Sequence, residues 1–322
     1  MQGPLMMSMR PKRKIPSNPN RVEVVGLGQA SVDYLGRIPR YPDEDEKVEL
    51  EDLEIQCGGP ASTAMVTLSR LGIATAFIGS FSDDSFGNAI QQGLDREGID
   101  AHSSKVTPGY RSQFAFIGIS PTHGKRTIFW HPCTAPPVAK EDIDLSQFPK
   151  ARILHLDDLM IEAALEGARQ AKDRGLAVVL DAGTLREGIL DVIPLVDVLI
   201  ASEHFHVPFL GPEKGPEEAL LALFEWGPRE VVITRGHQGS IGWDGRRIQV
   251  QEAFPVNAID TTGAGDVYHG AYIYGVLEGW PMEEKMRFAA AVAAMKCRSL
   301  GARKGIPSLS EVTDFMVKNE KH

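Results

Sequence analysis

The chain has 322 residues and a formal net charge of −9 at neutral pH. That length buries a large core, about three quarters of the unfolded surface, and suits two domains or one large α/β domain. The acidic balance argues against non-specific nucleic-acid binding, no apolar run is long enough for a membrane-spanning helix, and Cys57, Cys133 and Cys297 lack the spacing of a disulfide framework or zinc site, which fits reduced thiols in a cytoplasm.

Residues 1–20 carry Arg10, Lys12, Arg13 and Lys14 among several prolines and read as a flexible, solvated tail. Val22-Glu-Val-Val-Gly-Leu-Gly28 is a short apolar strand ending in glycines. Gly26-Leu-Gly28 imitates a dinucleotide fingerprint, but Ser31 stands at the third glycine and Asp33-Tyr34 follow where a helix should settle. On its own Asp33 reads as a loop aspartate capping a turn. Residues 37–56 are charged and alternating, and Val48, Leu50, Leu53 and Ile55 predict short strands with one apolar face. A helix rich in small residues runs from Gly59 to Leu71, and the Gly58-Gly59 pair that opens it could offer backbone donors to a substrate hydroxyl. Ala76 to Ser80 reads as a strand, and Asp83-Asp84 place acid at the positive end of the next helix. Gln113 to Ile119 and Arg126 to Trp130, joined by a turn at Pro121-Thr-His-Gly124, read as a hairpin.

From Ala151 the pattern is regular. Strands at 152–156, 177–181, 196–201 and 230–234 alternate with helices at 161–174 and 217–226. Such alternation implies a doubly wound, mostly parallel sheet with helices on both faces. Ligands of such sheets bind beyond the strand C-termini, where Thr234, Asp181 and His155-Leu-Asp157 fall. Gly211-Pro-Glu-Lys-Gly215 lacks the ending of a phosphate loop and reads as a surface turn. Ser240 to Gly245 continues the 230–234 strand as a hairpin, and 287–298 is an Ala-rich helix.

The stretch richest in chemistry is Asp260-Thr-Thr-Gly-Ala-Gly-Asp266, ahead of an apolar helical run from Ala271 to Leu277. Small residues at a helix start leave backbone N–H groups free to face an anion, helped by the helix dipole. Gly263, Ala264 and Gly265 fit that part, and Asp266 adds a carboxylate beside it. An anion cradle next to a base is what phosphoryl transfer requires.

Asp260 to Asp266, with the aromatic Tyr268 and Gly270 beyond it, resembles the C-terminal signature of the ribokinase-like (PfkB) carbohydrate kinases. Gly58-Gly59-Pro-Ala-Ser-Thr-Ala64 resembles the family's N-terminal signature, and the likeness extends from about Val22 to Val317. The resemblance implies an α/β core of residues 21–35, 58–108 and 132–318, with a small β-sheet lid of 36–57 and 109–131. It implies ATP-dependent phosphorylation of a sugar hydroxyl in the cytoplasm, with Mg²⁺. Asp266 is then the catalytic base, with Gly263, Ala264 and Gly265 as the anion hole. Asp33, Gly58, Gly59, Thr63 and Arg111 become the substrate contacts, with His131, His155 and Arg126 further candidates to line the pocket. Thr234, Gly236, Gly239 and Ala290 become the nucleotide contacts. The backbone of Asp260 to Thr262, with Gly301 to Pro307, is where relatives often hold a monovalent cation such as K⁺. The lid implies a homodimer, and no nucleic-acid or membrane partner is expected.

The chain departs from the family pattern at three places. Thr63 and Ala290 stand where relatives usually carry Asn, and Ser202-Glu-His-Phe205 replaces an Asn-x-x-Glu that organises water around Mg²⁺. These departures keep a nucleoside kinase of the same fold, or a sugar-sensing protein weakened in catalysis, as alternatives.

Overall fold

The computed structural model describes residues 18–120 and 126–319. The first half alternates between two sheets: β1 (Val24–Leu27), β2 (Ser31–Arg37), β3 (Asp52–Gly58), α1 (Pro60–Arg70), β4 (Thr75–Ile78), the short β5 (Ser80–Phe81), α2 (Ser85–Arg96), the short β6 (Lys105–Val106), β7 (Phe114–Ile119) and β8 (Arg126–His131). A regular stretch follows: β9 (Ile153–Leu156), α3 (Ile161–Asp173), β10 (Ala177–Ala182), α4 (Ile189–Val192), β11 (Val198–Ser202), α5 (Glu203–Leu210), α6 (Pro216–Phe224) and β12 (Glu230–Thr234). The hairpin β13 (Ser240–Trp243) and β14 (Ile248–Gln251) leads into α7 (Ala264–Leu277), α8 (Met282–Lys296) and α9 (Leu309–Lys318).

The main sheet runs β14-β13-β12-β11-β10-β9-β1-β4. It is parallel from β4 to β12, and only the β12-β13 and β13-β14 pairings are antiparallel. Its central strands are mostly apolar on both sides because both faces are covered, with polar residues such as His155, Asp181 and Thr234 toward their C-terminal ends. Val24, Val179, Ile200 and Val232 pack against α1, α2, α7, α8 and α9, while Val25, Val178, Leu199 and Val231 pack against α3 to α6. The chain leaves β1 for β4 on one side and returns to β9 on the other. The order reverses there, and a crevice opens beyond the strand ends.

A second sheet, β3-β2-β7-β8, is the expected small sheet. Its members are contributed by β2-β3 and by the β7-β8 hairpin, neither of which is followed by a crossover helix returning to the same sheet. It takes in β2 from Ser31, so Asp33 belongs to this sheet although the sequence division left it in the core. Val48 and Leu50 lie outside any strand. The acid-rich segment before them is drawn into a loop, where the Glu46 carboxylate binds the Arg40 guanidinium and accepts the Asp43 amide. β2 also follows Gly28 where a dinucleotide-binding fold would start its helix. Pro19–Arg21 forms one helical turn capped by Asn18. The rest of the tail, residues 1–17, and the turn at Pro121 to Gly124 lie outside the described residues.

Candidate active site

The site forms where the start of α7 meets the C-terminal ends of the main strands and the inner face of the small sheet. Gly263 caps α7 with φ +73°, and a side chain there would press on Ala302. This left-handed backbone favours glycine. The Ala264 amide is directed to the Thr261 carbonyl at 3.1 Å. Among the described residues the amides of Gly263, Gly265 and Asp266 make no hydrogen bond, so of the expected three donors only Ala264 is engaged within the chain. Asp266 stands half-buried in the first turn of α7. Burial pushes its carboxyl above the ordinary carboxylate range, against the pull of His269, Arg126, Lys296 and Arg303. One turn on, His269 Nδ1 lies 2.7 Å from the Gly265 carbonyl, while Nε2 faces the Ile200 carbonyl at 3.3 Å and Asp181 Oδ1 at 3.4 Å. That ring ties the glycine turn to the ends of β10 and β11.

Asp33 approaches from the other side. The Ser31 hydroxyl donates to Asp33 Oδ1 at 2.8 Å. Burial raises the Asp33 carboxyl to about 6, the Ser31 bond and the Arg303 guanidinium oppose the rise, and the negative charge of Asp266 adds to it. The two acids therefore sense each other across the crevice. Asp33 pairs in register with Ala115, and Ala115 with Trp130, so the three share one face of the small sheet. Arg126 shares that face through Ile119 and Arg37, and its guanidinium reaches the Thr261 hydroxyl at 3.0 Å.

Arg303, to which the sequence reading gave no role, organises the Gly58-Gly59 end. It is buried, with Nε donating to Thr63 Oγ1 at 3.2 Å and Nη2 to the Gly58 carbonyl at 2.9 Å and Ser62 Oγ at 2.7 Å. The Thr63 hydroxyl is thereby occupied by the protein itself. Gly59 caps α1 with φ +95°. Arg111 is exposed, and its charge acts on Asp84 at the start of α2; the cation that acts on Asp33 is Arg303. His131 stacks on Phe114, and His155 is fully enclosed in the sheet, where burial drives it down to about 3 and neither ring nitrogen has a hydrogen-bond partner among the described residues.

Below the crevice the strand ends carry three buried acids. Asp157 accepts the Gln29 amide at 2.7 Å, Asp158 accepts the Thr184 amide and the Arg186 guanidinium, and Asp181 faces His269. Burial raises both Asp157 and Asp181 to about 7.

On the far side of α7 the turn from β12 to β13 holds Thr234, Gly236 and Gly239, with open space where a side chain on Gly236 would project. The Thr234 hydroxyl donates to the Ala201 carbonyl at 3.3 Å. Ala290 lies on α8, against the core. Ser202 caps α5 and donates to the Gly183 carbonyl, and Phe205 is packed in the core beside Phe209. Neither can organise a metal's water, and among the described residues no three His, Cys, Asp or Glu side chains group as a metal cage. Asp260, fully buried, has its carboxylate capped by the Thr262 amide and hydroxyl and by the Gly301 amide, while its carbonyl accepts Lys296 Nζ at 2.9 Å.

A mostly parallel sheet, a four-stranded lid and a glycine turn presenting free amides beside a carboxylate define the ribokinase-like class of α/β kinases. Residues 22–309 match the sequence profile of the pfkB family carbohydrate kinases, and the chain belongs to that family. It is 28% identical over 326 residues to a 5-dehydro-2-deoxygluconokinase of Clostridium perfringens, covering 94% of each chain. It is 26% identical over 304 residues to a ribokinase of Haemophilus influenzae, covering 90% of this chain and 97% of that one. The structure of Arabidopsis thaliana ribokinase complexed with ribose and ATP superposes with a TM-score of 0.81 at 25% identity, over 92% of this chain and 98% of that chain. No described helix is long and apolar enough to cross a membrane.

Proposed function

We propose that this carbohydrate kinase transfers the γ-phosphate of ATP to a sugar hydroxyl, with Asp266 as the base. The observation that supports the reading is the set of unpartnered amides at Gly263, Gly265 and Asp266, directly beside the Asp266 carboxyl and within electrostatic reach of Asp33. Asp33 holds the acceptor, since a carboxylate accepts two hydroxyl bonds at once. The acceptor oxygen bonds to the γ-phosphorus, the bond to the β-phosphate oxygen breaks, ADP leaves, and the hydroxyl proton passes to Asp266. A carboxyl raised by burial is a better base than a free one, and a loose transition state asks for the proton late. The cradle amides meet the charge on the travelling phosphoryl group, and Arg126, reaching from the lid to Thr261, closes over it.

The nucleotide lies along Thr234, Gly236 and Gly239 toward Ala290. Mg²⁺ neutralises the phosphates when bound, and this chain would hold it through those phosphates and water, since Ser202 and Phe205 are engaged elsewhere. The outer face of the lid is taken to seat a second copy of the chain. Free thiols at Cys57, Cys133 and Cys297 suit a reducing cytoplasm. The test is ADP release with a panel of aldoses, ketoses, sugar acids and nucleosides. Turnover with a sugar supports the reading, turnover with nucleosides alone moves the acceptor class, and ligand binding without ADP release points to a sensor.

A further inference from the structure

Lys296 is the last residue of α8, and its side chain is wholly buried. An ammonium taken out of water must find partners, or the fold suffers. Its Nζ donates to the carbonyl oxygen of Asp260 at 2.9 Å, and the Asp260 and Asp266 carboxylates act on it from close by. Asp260 is itself buried, and each of its polar atoms is engaged. Oδ1 accepts the Thr262 amide at 2.8 Å and hydroxyl at 2.7 Å, Oδ2 accepts the Gly301 amide at 2.7 Å, and the Asp260 amide donates to the Cys297 carbonyl at 3.2 Å. This knot sits immediately before Gly263, and the next carbonyl, that of Thr261, receives the Ala264 amide at the start of the anion cradle.

A monovalent cation in this turn would need the same carbonyl oxygen and would stand against an ammonium. Two like charges sharing one buried oxygen oppose each other strongly. The residues present therefore do not fit a bound potassium ion. We propose that Lys296 is a tethered substitute for that ion: its ammonium holds the 260–266 turn in place, and the chain works without a monovalent metal. Lys296 touches no reacting atom, so it is a positioning residue. Burial works against the Lys296 ammonium and Arg126 repels it, while Asp260, Cys297 and Asp266 favour it; the Asp260 carbonyl at 2.9 Å is what holds it in the turn, and its positive charge helps to keep Asp266 ionised.

The activity arm of the test rests on the kinase reading, but the melting arm does not. The native protein, without substrates, is melted in potassium chloride and in choline chloride at equal ionic strength. Equal melting temperatures are expected. Lys296→Ala leaves room for an ion beside Asp260, and potassium or methylammonium should raise its melting temperature by about 2–4 °C over choline. In turnover, Lys296→Ala in choline should fall about 10²-fold, as for a misplaced catalytic turn, and recover with potassium, while the native enzyme ignores the salt. A potassium-specific rise in the native protein's melting temperature or turnover overturns the proposal, and so does a folded Lys296→Ala that responds to neither cation. Lys296→Gln is the second variant should the alanine fail to fold. If both fail, the native potassium titration decides alone. Absence of turnover with every sugar would defeat the kinase reading and leave the melting result to stand.

Discussion

Asp33 Oδ2 occupies the space that a Cβ on Gly58 would fill. The end of β3 must be bare so that the carboxylate on β2 can turn toward the crevice. Gly58→Ala should push Asp33 aside, with about 1–3 kcal/mol lost in stability and a KM for the acceptor raised more than kcat falls. Urea unfolding and acceptor kinetics check this, and a variant with unchanged stability and unchanged KM contradicts it.

Proton binding gives a second check. Asp33 must be ionised to accept two hydroxyls, and burial places its midpoint near about 6. Acceptor affinity should therefore weaken as pH falls through about 6. Asp157 and Asp181, raised to about 7, have the opposite effect on stability. The folded state holds their protons longer than the unfolded chain does. Their stabilising contribution is full below about pH 4 and is lost as pH rises through about 7. Asp181→Asn removes that loss, so its stability relative to the native protein should be better at pH 8 than at pH 5, on the order of 2 kcal/mol. Denaturant unfolding at the two pH values measures the difference, and an equal effect at both contradicts the assignment.

Arg303 joins α1, the Gly58 carbonyl and the charge on Asp33. Arg303→Met leaves the Ser62 hydroxyl and the Gly58 carbonyl without this donor, which should destabilise the protein by about 1–3 kcal/mol. It also removes the cation that restrains the Asp33 carboxyl. The acid limb of acceptor affinity should then move to higher pH in Arg303→Met and less in Arg303→Lys, which keeps the charge without the fork of donors. Identical pH profiles in both variants would show that Arg303 only packs.

Ile55, Tyr34, Phe116 and Phe129 form one row across the small sheet, on the face opposite Asp33. At its two ends Ile55 is 57% exposed and Phe129 60%. Tyr34 packs on Phe86 of α2, and the exposed ends of the row are the surface proposed to seat a second copy of the chain. Sedimentation should find a dimer for the native chain and a monomer for Phe129→Glu or Ile55→Glu. A native monomer would leave that face unexplained.

Much of this architecture was legible because its physics is local. A strand buried on both sides must be apolar throughout, so Val178-Val-Leu180 and Val231-Val-Ile233 declare themselves. The glycine turn was legible because Gly263, Ala264 and Gly265 are three small residues in a row ahead of an apolar helical run, and the structure adds that Gly263 takes a positive φ there. Arg303 and Lys296 were not, because their partners are Gly58 and Asp260, carbonyls distant in sequence, and no spacing marks a cation that binds backbone. Thr63 read as a weakened substrate contact because a missing amide is visible in a sequence, while the guanidinium that occupies its hydroxyl is not. Asp33 looked like a loop residue because β2 has no regular alternation: Val32, Asp33 and Leu35 are all buried, on both faces.

The most direct measurement is single-turnover phosphate transfer by Asp266→Asn, alongside its affinity for ATP. Asparagine keeps the shape and leaves the Gly265 amide in place but cannot take the acceptor's proton. ATP affinity should stay near that of the native enzyme while the transfer rate falls by about 10²–10⁴-fold. Transfer at the native rate would contradict Asp266 as the base, because the carboxyl at the head of α7 would then have no part in the chemistry.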